Sequence, residues 1–299
     1  MQQVQGNQRQ RTDVPLHMNN AVHNSVKSLD ALIPRLSSEA FDVDVFRKTG
    51  VFVVRNAVPR DVVDAWQNEW KRFYREVLEK GRDVNRANPV SLNEQLPEGL
   101  AHMYREPVFA STLKPLMGEH IALYNHRFVI KDALSANKVF LHQDSCYHAG
   151  NSNKCSVFVA ISAVNKDNGG MTFHVGSHAL GSLGDAGEIN PASFDVQWPT
   201  VTPELAPGDF VIMDSRLWHE SGPNISGVDR ILADMIIQPA DDPTGQELIC
   251  GEWQTDVFFS PKDITRHFVN SRILKIVNYE KELAQLKADA VHRASGTTE

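Results

Sequence analysis

The chain has few cysteines, no long apolar run and no excess of basic residues. Its 299 residues include only three cysteines, Cys146, Cys155 and Cys250, and none of them forms a CxxC pair. A sparse, odd-numbered set does not make a disulfide framework, so we expect reduced thiols and a cytoplasmic location. No stretch reaches the roughly 18 apolar residues that a membrane span needs, and we expect no membrane association.

The charge balance also limits the kinds of partner. The chain has 30 basic and 37 acidic residues, a formal net charge of −7, which disfavours nucleic acid because phosphate binding needs a basic surface. The N-terminal segment is polar and lacks the apolar stretch of a secretory signal. Its Gln and Asn content predicts a flexible tail over 1–30, followed by a single domain over 31–299. We expect a small-molecule partner, and the oligomeric state is open between monomer and homodimer.

Short runs rich in Val, Ile and Phe dominate the middle of the chain. They lie at 50–58, 121–131, 138–144, 155–164, 171–176, 209–214 and 230–239, and turn signals such as DNGG (167–170) separate most of them. Many short strands of this kind predict an antiparallel sandwich or barrel. Helices are predicted at 59–80, near 105–114 and towards the C terminus. The predicted fold class is therefore mainly β with flanking helices, around a β core at about 120–240.

Two histidines and an aspartate suggest a metal site. His142 and Asp144 are two residues apart at the end of a predicted strand, so both side chains can point to the same face. This pair alone is a weak signal, but His219 follows another predicted strand and can complete the set. Two imidazoles and one carboxylate leave three positions of an iron ion open for a co-substrate and dioxygen. Zinc is the competing metal, although no helical HExxH spacing is present.

Two residues that follow the second histidine suggest a co-substrate with a carboxylate. Arg230 begins a predicted strand eleven residues after His219. Its planar guanidinium can hold the far carboxylate of a keto-diacid whose other end chelates the metal. Ser221 can donate a hydroxyl to the same carboxylate. A solvated surface charge is the ordinary alternative for an arginine at the start of a strand.

These residues resemble the phytanoyl-CoA dioxygenase family of iron- and 2-oxoglutarate-dependent oxygenases. The matching segments are FLHQDSCYH (140–148), DNGGMTFHVGSH (167–178), APGDFVIMDSRLWHESGPN (206–224) and Arg230. The specific motifs cover roughly 130–240, and the region 45–125 agrees only in general layout. The usual PGSH turn of the family reads VGSH here (175–178), which changes turn stiffness but no chemistry.

The resemblance implies a double-stranded β-helix (jelly-roll) fold and an oxygenase with a full cofactor site. Iron(II) would be held by His142, Asp144 and His219. The co-substrate 2-oxoglutarate would contact Arg230, Ser221, Gln143 and a lysine, for which Lys131 and Lys138 both remain candidates. With dioxygen, such an enzyme hydroxylates a C–H bond and releases succinate and carbon dioxide. Because Asp144 is retained, halogenation is disfavoured.

The substrate pocket and the reaction outcome are less defined. Tyr147, Asn125, Arg127 and Trp218 are candidates to line the pocket, with packing or surface roles as the alternatives. No catalytic side chain beyond the iron site is predicted. The same cofactors can also support desaturation, epoxidation or ring formation. A jelly-roll binding protein without catalysis is a further alternative, but it predicts loss of a metal ligand or of Arg230, and all of them are present.

Overall fold

The structure, a computed structural model, describes residues 28–79, 90–91, 96–133, 138–184, 188–260, 277–278 and 280–287. Its α-helices are α1 (Val43–Thr49), α2 (Arg60–Glu79), α3 (Glu98–Ala101) and α4 (Pro107–Met117). The strands are β1 (Ser37–Ser38), β2 (Val51–Val54), β3 (Val90–Ser91), β4 (Ile121–Lys131), β5 (Val139–His142), β6 (Cys155–Ala160), β7 (Met171–His174), β8 (Thr200–Val201), β9 (Phe210–Asp214), β10 (His219–Ser221), β11 (Arg230–Pro239) and β12 (Glu247–Cys250).

The strands form two sheets. The large sheet has the order β1-β2-β9-β6-β11-β4-β12, with β3 also paired to β4, and the small sheet has the order β5-β10-β7-β8. All pairings are antiparallel except β1 with β2. The central strands β6 and β9 are buried along their whole length, because both faces of the large sheet are covered. This architecture agrees with the predicted antiparallel sandwich.

The helices pack outside the large sheet as their apolar spacing predicts. Trp66, Trp70 and Phe73 of α2 are buried, and Trp70 stacks on Phe128 of β4 with ring centroids 4.9 Å apart. Helix α1 ends at Gly50, which has a left-handed φ of 75°. A Cβ at this position would lie 2.6 Å from a ring nitrogen of His178, so glycine satisfies both the turn and the packing.

The structure corrects one local expectation near the predicted metal site. Strand β5 ends at His142, and Asp144 begins a short 3-10 turn that runs to Tyr147. The turn is fixed by a hydrogen bond from Ser145 N to Ser215 O at 2.8 Å. Strand alternation therefore orients the side chain of His142, whereas the 3-10 turn positions the carboxylate of Asp144.

The two ends of the chain are only partly described. Residues 1–27 lie outside the described part, so the flexible tail stays a prediction, but Leu29 at its end is buried in the core. Residues 277–278 and 280–287 are helical, as the periodicity predicts. Leu283 and Leu286 are exposed there, and the predicted apolar face of this helix contacts no core in the described residues. None of the described helices is long and apolar enough to cross a membrane.

Candidate functional site

His142, Asp144 and His219 meet in the structure. His142 and His219 are direct cross-strand partners on β5 and β10, and their ring centroids are 4.3 Å apart. Oδ1 of Asp144 lies 3.4 Å from Nε2 of His142 and 3.6 Å from Nε2 of His219. One donor atom from each residue fits within a common span of 4.8 Å. The three residues can therefore converge on one ion.

The backbone fixes which nitrogen of each histidine faces that point. Nδ1 of His142 lies 2.7 Å from the carbonyl of Phe140, and Nδ1 of His219 lies 3.0 Å from the carbonyl of Leu217. A carbonyl only accepts, so each Nδ1 carries the proton and donates it. Each Nε2 then keeps its lone pair toward Asp144, which is the tautomer that a metal ligand needs.

The surroundings favour the ligating charge states of His219 and Asp144. Burial lowers the pKa of His219 to about 4, against the opposing effect of Asp144, so its imidazole is neutral at pH 7. Burial alone would raise the pKa of Asp144, but His219, His142 and Arg127 together hold it well below its usual range. Ser156 donates a hydrogen bond to Oδ2 of Asp144 at 3.2 Å. A neutral imidazole and an ionised carboxylate are the forms that bind a cation.

The triad borders a cavity of about 300 Å³ between the two sheets. Arg230 and Ser221 line the same cavity. Arg230 is 1% exposed, and its Nε has no hydrogen-bond partner among the described residues. Burial lowers its pKa from 12.5 to about 10. A buried guanidinium without a carboxylate partner is costly, so its position predicts an anionic ligand.

Lys131 lies beside Arg230, whereas Lys138 does not. Lys131 is directly opposite Arg230 in the β4–β11 ladder and is 1% exposed. Its Nζ donates to the carbonyls of Ser221 and Gly222. Burial and then the charge of Arg230 lower its pKa to about 8. Lys138 is exposed, so the structure favours Lys131 for a role beside the arginine.

The DNGG turn makes room for this lysine. Gly169 has a left-handed φ of 81°, and a Cβ there would lie 2.6 Å from Cδ of Lys131. The neighbouring Asn168 closes the loop by donating to the carbonyl of Ala163 at 2.8 Å. The motif therefore shapes the arginine end of the cavity and supplies no ligand itself.

Arg127 forms a second polar group in the cavity wall. Its Nε donates to Oδ2 of Asp234 at 2.7 Å, and the two residues are cross-strand partners. Asp234 is completely buried, which raises its pKa to about 6 against the opposing charge of Arg127. Sequence reasoning missed Asp234. The signal available was a single acidic residue within the otherwise apolar run of β11.

Gln143 is held by backbone groups of two other segments. Its side-chain amide donates to the carbonyls of Gly181 at 2.8 Å and Arg216 at 2.5 Å. Its oxygen accepts from the backbone N–H of Leu183 at 2.8 Å. All these contacts are with backbone groups, and Gln143 is not among the residues that line the cavity. It joins the 181–183 segment to the metal-binding turn.

The remaining pocket candidates divide into two groups. Tyr147 lines the cavity at its open side, 45% exposed. Asn125 and Trp218 are not among the cavity residues. Trp218 is completely buried and packs edge-to-face on Phe194, with ring centroids 4.7 Å apart. Phe140, which the sequence did not single out, lines the cavity and is 38% exposed.

A family model decides the classification. The model described as phytanoyl-CoA dioxygenase (PhyH) matches residues 46–232, which is more than half of the chain. The chain belongs to this family. The sequence-based resemblance is therefore confirmed, and with it the assignment to the oxidoreductases. No curated protein matches the chain.

Solved structures confirm the jelly-roll fold of this family member. The epimerase SnoN from nogalamycin biosynthesis, in complex with Fe³⁺, α-ketoglutarate and nogalamycin RO, is 20% identical with a TM-score of 0.58, covering 73% of this chain and 88% of that chain. The non-haem monooxygenase ThoJ is 21% identical with a TM-score of 0.59, covering 82% and 98%. EctD from S. alaskensis, with 2-oxoglutarate and 5-hydroxyectoine, is 18% identical with a TM-score of 0.54, covering 65% and 74%.

Proposed function

We propose that this protein is an iron(II)- and 2-oxoglutarate-dependent oxygenase that hydroxylates a C–H bond of a small molecule. His142, Asp144 and His219 would hold the iron. Arg230, with Lys131 and Ser221 beside it, would bind the outer carboxylate of 2-oxoglutarate. When bound, iron(II) and 2-oxoglutarate would supply the activation of dioxygen, with conversion of 2-oxoglutarate to succinate and carbon dioxide.

The buried guanidinium of Arg230 is the observation that carries the proposal. A group of two histidines and one carboxylate alone also suits zinc. Arg230 opens into the same cavity, and no carboxylate of the described part of the chain pairs with it. A dicarboxylate that spans from the metal to this arginine would neutralise the guanidinium. A hydrolytic zinc site gives no reason for a second, buried anion-binding group.

The residues of the chain would act by positioning and by exclusion of water. The backbone carbonyls behind both histidines fix the Nε2 donors, and Ser156 orients Asp144. Apolar side chains, including Val129, line the cavity and keep bulk water from the reacting C–H bond. Hydroxylation is the outcome that we propose. Desaturation, epoxidation and ring formation are the alternatives, and product analysis separates them.

The assignment is tested by anaerobic addition of iron(II) and 2-oxoglutarate, followed by admission of dioxygen and a succinate assay. We expect a weak visible charge-transfer band on mixing, and no band when zinc replaces iron. His142→Ala should lose both the band and succinate formation. His102→Ala is the control, because His102 lies outside the cavity and bonds only the carbonyl of Glu98. Succinate release by His142→Ala at the wild-type rate would refute the iron site.

A further inference from the structure

Arg127 is a second arginine in the cavity that the proposed function does not use. Its side chain lines the cavity and is 29% exposed. Only its Nε is engaged, by Oδ2 of Asp234 at 2.7 Å. Neither of its two terminal nitrogens hydrogen-bonds to another residue of the described chain. One edge of the guanidinium is therefore held, and the other is open to a ligand.

Asp234 determines this orientation. It is completely buried directly opposite Arg127 in the β4–β11 ladder. Because a guanidinium is planar, a carboxylate at Nε directs the edge that carries the terminal nitrogens away from itself. That edge has the spacing to bind a second carboxylate through two parallel hydrogen bonds. Asp234 is thus a positioning residue that contacts no ligand itself.

Two cross-strand pairs on β4 and β11 of the large sheet each contribute one arginine to the cavity lining. Lys131 pairs with Arg230, and Arg127 pairs with Asp234 four residues along the same strands. Residues four apart on a strand point to the same face, and their Cα atoms are about 13 Å apart. Val129 lines the cavity between the two pairs. The guanidinium groups of Arg127 and Arg230 therefore come from separate positions along these two strands.

Apolar side chains line the same cavity as Arg127. Phe140, Tyr147 and Met171 line the cavity, and the first two are partly exposed at its opening. A ligand in this cavity meets aromatic and aliphatic surface together with a guanidinium. This combination suits a molecule with an apolar skeleton and one anionic end.

We propose that the terminal nitrogens of Arg127 bind a carboxylate in this cavity, and that the substrate is a small apolar carboxylic acid. The substrate class rests on the proposed function, since it concerns the same cavity. The inner carboxylate of 2-oxoglutarate is the other possible source of the same chemistry. The experiment distinguishes these two sources.

The test measures binding by anaerobic calorimetry, with and without iron(II) and 2-oxoglutarate. The probes are 3-phenylpropionate and its uncharged analogue 3-phenylpropanamide. We expect the wild-type protein to prefer the acid, and Arg127→Gln to bind it roughly ten- to a hundredfold more weakly. Arg127→Lys should recover only part of this loss, because an ammonium lacks the planar fork. The amide should bind equally to wild type and variant.

Two further variants separate anion binding from folding. Arg127→Gln leaves Asp234 buried without its partner, so the double variant Arg127→Gln with Asp234→Asn supplies a neutral amide pair in its place. Arg55→Gln is the matched control. Arg55 pairs with Asp209 at 2.8 Å and is 30% exposed, but it lies outside the cavity. The double variant should lose the acid preference, and Arg55→Gln should keep it.

The outcomes show which ligand supplies the carboxylate that Arg127 binds. Loss of acid preference with 2-oxoglutarate affinity unchanged within about twofold supports the substrate class. Arg127→Gln could instead weaken the binding of 2-oxoglutarate about tenfold, with a wild-type protein that shows no preference for the acid over the amide. In that case Arg127 binds the inner carboxylate of 2-oxoglutarate, and the substrate class is refuted. If neither ligand responds to Arg127→Gln, the whole proposal is refuted. Failure of the charge-transfer band in the wild type refutes the proposed function separately, because the acid and amide are also compared on metal-free protein.

Discussion

Replacement of Arg230 by methionine is expected to stabilise the ligand-free protein while removing its response to 2-oxoglutarate. The guanidinium is 1% exposed and has no carboxylate partner in the described residues. Burial lowers its pKa from 12.5 to about 10, which at about 1.36 kcal/mol per pH unit is a folding cost of roughly 3 kcal/mol at neutral pH. Methionine fills a similar volume without a charge.

The expected gain is smaller than this cost because the guanidinium also packs. Replacement of buried charges by apolar side chains stabilises proteins by about 1–4 kcal/mol. We therefore expect the free energy of unfolding to rise by about 1–3 kcal/mol and the melting temperature to rise by several degrees. The same change removes a buried charge pair with the co-substrate. Its loss costs about 2–5 kcal/mol, or at least about a 30-fold weaker affinity for 2-oxoglutarate.

The assay is thermal unfolding with and without iron(II) and 2-oxoglutarate under anaerobic conditions. Wild type should melt at a higher temperature with the co-substrate, and Arg230→Met should not respond to it. Arg55→Met is the control, and its melting temperature should fall. It leaves the buried carboxylate of Asp209 without its arginine partner and should therefore destabilise the protein. A ligand-free Arg230→Met protein that melts below wild type and still responds to 2-oxoglutarate would refute the reasoning.

Three further changes test other contacts. Lys131→Met should weaken 2-oxoglutarate binding about tenfold by calorimetry, whereas Lys138→Met should leave it unchanged, because only the first lysine lies beside the arginine. Gln143→Leu should keep the iron charge-transfer band but increase proteolysis of the 181–183 segment, which loses its two hydrogen bonds to this side chain; an intact segment would contradict this role. Asp242→Asn should cost about 3–5 kcal/mol by urea unfolding, since Asp242 pairs with buried Lys154 at 3.1 Å. Burial raises the pKa of Asp242, but its hydrogen bonds lower this pKa more, so the pKa is lower in the folded than in the unfolded protein. The stability that Asp242 contributes is therefore present above its unfolded pKa near 4 and is lost as the pH falls. The free energy of unfolding of Asp242→Asn should decrease less on acidification than that of the wild type.

The sequence predicted the parts of the fold that depend on local pattern. Strands β4 and β11 begin and end where their apolar runs do, at 121–131 and 230–239. Helix α2 agrees with its aromatic spacing to within one residue at each end. These elements are long, and their residues satisfy both propensity and burial, so local and tertiary preferences coincide.

The positions of two predicted site residues depend on tertiary contacts that the sequence does not show. Gln143 follows His142 directly, yet its amide turns toward the backbone of Gly181 and Leu183 from a distant loop. Trp218 directly precedes strand β10, and its ring packs against Phe194. Adjacency in sequence to a ligand therefore did not predict contact with the cavity.

The site depends on the registers of two strand pairs that lie in different sheets. His219 opposes His142 in the small sheet, and Arg230 opposes Lys131 in the large sheet. A shift of one residue in either ladder would turn one member of its pair away from the cavity. The connection between the ladders must then have a fixed length and shape. Asn224 provides this, because its amide donates to the carbonyls of Lys131, Asp132 and Val228 at 3.1, 2.9 and 2.7 Å.

This anchoring gives a physical reason for the spacing between His219 and Arg230. Asn224 ties the loop that follows β10 to the end of β4, next to the start of β11. The metal-side histidine and the anion-side arginine are thereby separated by a loop with one conformation. An insertion in the loop would break these three hydrogen bonds and leave each ladder intact. The eleven-residue interval is therefore linked to contacts with the end of β4 and with Val228, just before β11, whereas the HxD motif depends only on one strand end and the turn that follows it.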